Sequence, residues 1–102
     1  MALDPFIRPL NRLKICAALN AAGATDGETK YEMRLSHLSE LTEVPASALT
    51  PQLDALEQAG YITRFSEYGP TGAKDIVWVT LTKQGKQALE DHLEALHDLI
   101  QD

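Results

Sequence analysis

The spacing of apolar and polar positions along the chain predicts four helices and three short strands. The first helix, over about residues 9–22, is apolar on two sides. Leu10, Leu13, Cys16 and Ala17 share one face, and Ile15 and Leu19 lie almost opposite. One face can enter the core of the domain, whereas the other needs a second cover, which is either another helix or a partner subunit.

The middle of the chain predicts a short strand and then two helices. A polar, glycine-containing loop over residues 22–30 precedes Tyr31, Met33 and Leu35, whose alternation with polar residues is typical of a half-buried strand. Ser36 is expected to cap a short helix. Leucines then recur at helical spacing until Gly60 ends the run. These leucines are Leu49, Leu53 and Leu56.

The last third of the chain predicts a hairpin followed by a long helix. Residues 61–66 and 76–81 have strand character and flank a turn at residues 69–72. Thr82 is expected to cap the final helix. That helix carries two adjacent apolar rows, which are Leu89, Leu93, Leu96 and Ile100, and Ala88, His92, Ala95 and Leu99.

Two segments resemble the small MarR-like winged-helix regulators. Residues 35–41, Leu-Ser-His-Leu-Ser-Glu-Leu, with the leucine run and residues 56–62, Leu-Glu-Gln-Ala-Gly-Tyr-Ile, resemble the helix-turn-helix core. Residues 79–89 resemble the strand, Leu-Thr turn and glycine-containing helical turn that follow the wing in that family. The resemblance implies a mainly α, winged helix-turn-helix fold with a small β-hairpin. It also implies a DNA-binding transcriptional regulator that acts as a dimer, with neither catalysis nor a cofactor.

The resemblance also divides the chain into parts. We expect one domain over residues 1–102, with the helix-turn-helix at about 36–60, the wing at about 61–81 and a C-terminal dimerisation helix at about 82–101. It implies that the recognition helix begins near Ala46, which places Pro51 beyond the first turn, where a proline kinks a helix. Local chemistry instead favours a start at Pro51 with Thr50 as the cap, or a separate short turn over residues 45–49.

Charge argues against strong DNA binding. Nine Lys and Arg oppose 15 Asp and Glu, which gives a net charge of -6 that repels a phosphate backbone. Residues 36–60 contain four acids and no Lys or Arg. We therefore expect weak binding of double-stranded DNA by each subunit. The alternative is a winged-helix protein interaction module with reduced or lost DNA binding, whose acidic face meets a basic protein partner.

Five residues are candidates for DNA contact. Ser47, Thr50 and Gln52 carry groups that can hydrogen-bond to base edges, although capping and solvation explain them equally well. Arg64 and Lys74 in the wing are candidates for phosphate contact, with ordinary surface charge as the alternative.

The surplus of apolar helix surface predicts a homodimer through the first and last helices. The candidate interface residues are Ile15, Leu19, Leu89, His92, Leu93, Leu96 and Ile100. His92 is either a pH-sensitive interface residue or a structural one. Trp78 is expected either to form part of a partner surface or to pack under a helix.

Metal chemistry and membrane insertion are not expected. The three histidines and the acids have no ligand-like spacing, and Cys16 is the only cysteine. Cys16 is either a redox sensor or, more in keeping with its position, a small buried hydrophobe. A reducing, cytoplasmic setting fits this composition, and no apolar run approaches the roughly 20 residues that span a bilayer.

Overall fold

A computed structural model describes residues 3–26, 32–67 and 76–101 of the chain. The described elements, in chain order, are α1 (Leu10–Ala21), β1 (Met33–Arg34), α2 (Leu35–Thr42), α3 (Ala46–Gln58), β2 (Ile62–Glu67), β3 (Ile76–Leu81) and α4 (Lys83–Gln101). The mainly helical fold with a β-hairpin is confirmed. It is a winged helix-turn-helix architecture, with α2 and α3 as the helix-turn-helix and β2 and β3 as the stem of the wing.

The core lies where α1, α2 and α3 meet one face of the sheet. Its largest members from the helices and strands are Ile15, Leu19, Met33, Leu38, Leu49, Leu53, Leu56, Ile62, Leu81 and Leu89. The leucines of α3, which are Leu49, Leu53 and Leu56, are therefore all buried in the core. Because those leucines recur on one side of the helix, the opposite side of α3 faces solvent.

The sheet is antiparallel, with the strand order β1-β3-β2. In the hairpin, Ile62 is opposite Leu81 and Glu67 is opposite Ile76. Met33 is opposite Val79 on the other edge of β3, and this pairing joins the helix-turn-helix to the wing. The predicted turn at residues 69–72 lies outside the described residues.

The start of α2 differs from the sequence expectation. Strand β1 passes directly into α2 at Leu35, and extended Arg34 occupies the cap position without a side-chain cap bond. Ser36 therefore lies within the first turn of the helix and does not cap it. The predicted strand over residues 31–35 ends at Arg34, since Leu35 belongs to the helix. Tyr31 lies outside the described residues.

Of the two expected starts of α3, the one near Ala46 is confirmed and the one at Pro51 is wrong. The helix begins at Ala46, and the amides of Ala48 and Leu49 donate to the carbonyl of Pro45, so Pro51 lies inside the helix. The physical reason is burial: Leu49 is completely buried, and only a helix that begins before it places it on the core side. Burying a leucine contributes about 1.5–3 kcal/mol, which offsets much of the cost of an internal proline.

The end of α3 and the start of α4 are tied together. Gly60 has a φ of 82°, and the amide of Tyr61 donates to the carbonyl of Leu56, which closes α3 as a Schellman motif. The Thr82 hydroxyl donates to the carbonyl of Gly60 and accepts from the amide of Gly85, which confirms Thr82 as the cap of α4. A side chain at Gly85 would collide with the Tyr61 carbonyl. These contacts fix α4 and the wing relative to the recognition helix.

Candidate nucleic-acid interface

The exposed side of α3 begins with two of the predicted DNA contacts. Ser47 and Thr50 are both exposed to solvent on the first turns of the helix. The Thr50 hydroxyl donates to the carbonyl of Ala46 at 3.1 Å, so its oxygen remains available as an acceptor. Ser47 and Thr50 therefore lie on the surface of α3 that a bound ligand can contact.

Gln52 is turned toward α1 instead of toward solvent. Its Oε1 accepts a hydrogen bond of 2.8 Å from Nε of Arg12, and its side chain is half-buried. This hydrogen bond engages the carbonyl oxygen of Gln52 in linking α3 to α1, and the base contact of Gln52 stays a prediction. A helical wheel could not reveal this bond, since Arg12 and Gln52 are far apart in sequence.

Arg64, the wing cation that the structure describes, binds back onto α3. Its Nη2 donates to Oδ1 of Asp54 at 2.6 Å and to Oε1 of Glu57 at 2.7 Å. The hydrogen bond to Glu57, followed by the one to Asp54, raises the pKa of the guanidinium against the opposing effect of its partial burial. The predicted phosphate contact of Arg64 therefore competes with an internal ion pair. Lys74, the other predicted wing contact, lies outside the described residues.

The solvent-facing side of α3 remains negatively charged even with Arg64 bound to it. The two carboxylates outnumber the one guanidinium they bind, and both remain substantially exposed. Glu40 and Glu43, at the end of α2 and in the turn after it, are also exposed. Sequence reasoning correctly gave an acidic face but missed the capture of Arg64, for which the i, i+3 spacing of Asp54 and Glu57 was the available signal.

A row of three side chains crosses the outer face of the sheet. Strand register places Arg34 and Phe65 on either side of Trp78. The guanidinium carbon of Arg34 lies 5.9 Å from the centre of the Trp78 ring, and the indole Nε1 donates to Glu67 at 3.1 Å. Trp78 is half-buried in this row, whereas Phe65 is 58% exposed.

The predicted dimer interface is corrected in part. Ile15, Leu19, Leu89 and His92 are buried within the single chain, so they have no surface to offer a second copy. The helical periodicity showed two apolar faces on α1. The tertiary packing buries members of both, since Cys16 lies in the core together with Ile15 and Leu19, whereas Leu10 is exposed. Of the other three predicted residues, Leu96 is half-buried, and Leu93 and Ile100 are exposed.

Five large apolar side chains of the N-terminal segment, α1 and α4 are exposed to solvent. These residues, which we call the terminal apolar patch, are Phe6, Leu10, Leu93, Leu99 and Ile100. Sequence analysis placed Leu10 and Leu99 on apolar faces but left them out of the predicted interface, and it missed Phe6.

The N-terminal segment is held by Asp4. The backbone amide of Asp4 donates to Nδ1 of His92 at 2.9 Å, and its carboxylate accepts from the Tyr61 hydroxyl at 2.6 Å. Desolvation, followed by the hydrogen bond to Asp4, raises the pKa of Tyr61 to about 12. The role of His92 in this structure is therefore to anchor residues 3–9 over α4.

The other features that the sequence raised are the single cysteine, the possible metal ligands and a membrane span. Cys16 is fully buried, and desolvation raises the pKa of its thiol to about 12, which suits a packing residue and not a redox sensor. Across residues 3–26, 32–67 and 76–101, the His, Cys, Asp and Glu side chains form no cluster that could hold a metal ion. No helix in those ranges is long and apolar enough to cross a membrane.

Helix order, hairpin wing and the solvent-facing side of α3 define a winged helix-turn-helix protein. The chain belongs to the winged helix DNA-binding domain family, whose model matches residues 12–100. A comparison with curated proteins found none that matches this chain.

Proposed function

We propose that this protein is a MarR-like transcriptional regulator that binds double-stranded DNA as a homodimer. The observation that carries the proposal is the placement of α3 in a chain of a DNA-binding family. Its leucine stripe is buried, its opposite side is open, and the wing stem packs beside it. A helix held in this way is suited to enter a major groove.

Ser47 and Thr50 are the side chains of α3 that we expect to meet base edges. We expect phosphate contacts to come from cations outside α3, among them the exposed Arg8, which precedes α1, and Lys14, which lies on α1. With so few cations against four acids in the helix-turn-helix, we expect weak binding with a shallow salt dependence.

Dimerisation compensates for weak binding by each subunit. We propose the terminal apolar patch as the self-association surface, because it combines exposed residues of the N-terminal segment, α1 and α4. Two linked subunits reach two half-sites at once, so the affinity of the dimer exceeds that of either α3 alone.

The test of DNA binding is a titration of the protein against mixed genomic duplex fragments at about 50 and 200 mM salt. We expect binding at the lower salt that weakens at the higher one. A variant with Ser47→Ala and Thr50→Ala should bind more weakly, and Ser36→Ala, at an exposed serine of α2, is the matched control. Absence of binding at the lower salt would refute the proposal.

The capture of Arg64 by Asp54 and Glu57 favours a second candidate, the protein interaction module. In that case the acidic face of α2 and α3 binds a basic protein. Lysine-rich peptides should then bind with an affinity that falls with salt, and duplex DNA should not bind under the same conditions.

A further inference from the structure

Arg64 lies at the border between the recognition helix and the wing. It lines a groove of about 390 Å³ together with Thr50, Glu57, Ser66 and Val77, so it shares that groove with a candidate DNA contact. Because β2 follows the end of α3 directly, the hairpin runs back alongside the helix and brings Arg64 to the carboxylates of its last turns.

The two carboxylates offer Arg64 the same kind of partner that DNA would offer. A guanidinium donates its N–H groups to carboxylate and to phosphate oxygens in the same charge-assisted geometry. Here Nη2 donates to both Asp54 and Glu57. A phosphate that approached Arg64 would meet a site that already carries more negative than positive charge.

Resting on the proposed function, we propose that Asp54 and Glu57 are affinity-setting residues that compete with a DNA phosphate for Arg64. In the free protein the recognition helix binds the wing arginine, and binding to DNA requires Arg64 to leave its carboxylates for the backbone. The side chains of Asp54 and Glu57 are 54% and 40% exposed. Ion pairs with partners this exposed are weak and exchange readily. The contact therefore lowers the affinity for DNA but does not prevent Arg64 from reaching a phosphate.

The test is a double-mutant cycle on DNA affinity. It compares the wild type, D54N/E57Q, R64Q and the triple variant D54N/E57Q/R64Q on one duplex at several salt concentrations. We expect D54N/E57Q to bind about tenfold more tightly than the wild type, with a log–log salt slope steeper by about 0.9 for the added phosphate contact. In the R64Q background the same two substitutions should change affinity by less than about threefold.

Loss of negative charge alone could also raise affinity, and a matched control separates that effect. E40Q/E43Q removes the same charge from the neighbouring residues of the helix-turn-helix, where the described contact of Glu40 is with His37. We expect this control to raise affinity less than D54N/E57Q does. Circular dichroism of each variant verifies that the helices are retained.

The outcomes separate this inference from the proposed function. A gain that is equal with and without R64Q, or equal to that of E40Q/E43Q, overturns the competition while leaving DNA binding intact. If none of the proteins binds duplex DNA at about 50 mM salt, the proposed function and this inference both fail.

Discussion

At the scale of single residues, burial decides the chemistry of Cys16. A thiol reacts as the thiolate, and complete burial raises the pKa of this group from 9.0 to about 12. The unfolded chain therefore ionises first as the pH rises. The contribution of the neutral thiol to the stability of the folded state is fully present below about pH 9 and is lost as the pH rises toward about 12.

Two measurements check this. At about pH 8 iodoacetamide should label native Cys16 far more slowly than the unfolded chain, because labelling requires opening of the core.

Between about pH 9 and about pH 10, the free energy of unfolding should fall less steeply in Cys16→Ala than in the wild type. Tyr61, whose pKa is also raised to about 12 from 10.0, adds to the loss only at higher pH. Rapid labelling of the native protein, or equal slopes in the two proteins, would show that the thiol is not shielded.

At the scale of secondary-structure elements, Pro51 shows that burial of the leucine stripe determines the length of α3. A proline inside a helix lacks the amide that would donate to the carbonyl four residues earlier, here that of Ser47. The helix nevertheless runs from Ala46 to Gln58, because Leu49 must join Leu53 and Leu56 in the core.

Pro51→Ala distinguishes the two possible helix starts by the sign of its effect. With Pro51 inside the helix, alanine restores one hydrogen bond, and we expect the free energy of unfolding to rise by about 1–2 kcal/mol after the greater entropy of the unfolded chain is counted. If the helix began at Pro51, the same change would remove a favourable first residue and lower stability. Urea denaturation measures the difference. Pro45→Ala, at the exposed cap position outside the helix, is the control and should have a smaller effect.

At the scale of the whole molecule, two surfaces differ in character, because one is acidic and the other is apolar. The α3 face is acidic, with its wing arginine bound internally, and the terminal apolar patch lies on residues of the N-terminal segment, α1 and α4. We propose that these side chains pack against a second copy, because contiguous apolar surface is typical of association sites. Leu99 and Ile100 are the most exposed apolar residues of α4, at 64% and 82%.

Leu99→Glu combined with Ile100→Glu should therefore weaken self-association. Because each large aliphatic side chain contributes about 1.5–3 kcal/mol on burial, we expect the dimer dissociation constant to rise roughly a hundredfold or more. Sedimentation equilibrium measures this, and Leu41→Glu, at a residue of α2 that is 51% exposed, is the matched control. A wild type that is monomeric at micromolar concentration would refute the homodimer.

The predictions that the structure confirms are those of the fold that depend on local pattern. Gly60 at the end of α3 and Thr82 at the start of α4 act as the sequence indicated, because caps and turns depend on residues close in sequence. The contacts that the sequence did not reveal involve partners that are distant in sequence. Gln52 was expected to contact DNA but accepts from Arg12, and Arg64 was expected in the wing surface but binds Asp54 and Glu57.

The amino-acid pattern was enough to predict the order of the elements, the leucine stripe of α3 and the acidic character of its open side. Those properties follow from periodicity and composition, which are local or additive. Tertiary packing had to be seen to learn that residues from both faces of α1 enter the core, that α3 continues through Pro51 and where the wing arginine is held. Each of these depends on which surfaces are brought together by folding, and the helical pattern of a single segment does not specify its neighbour.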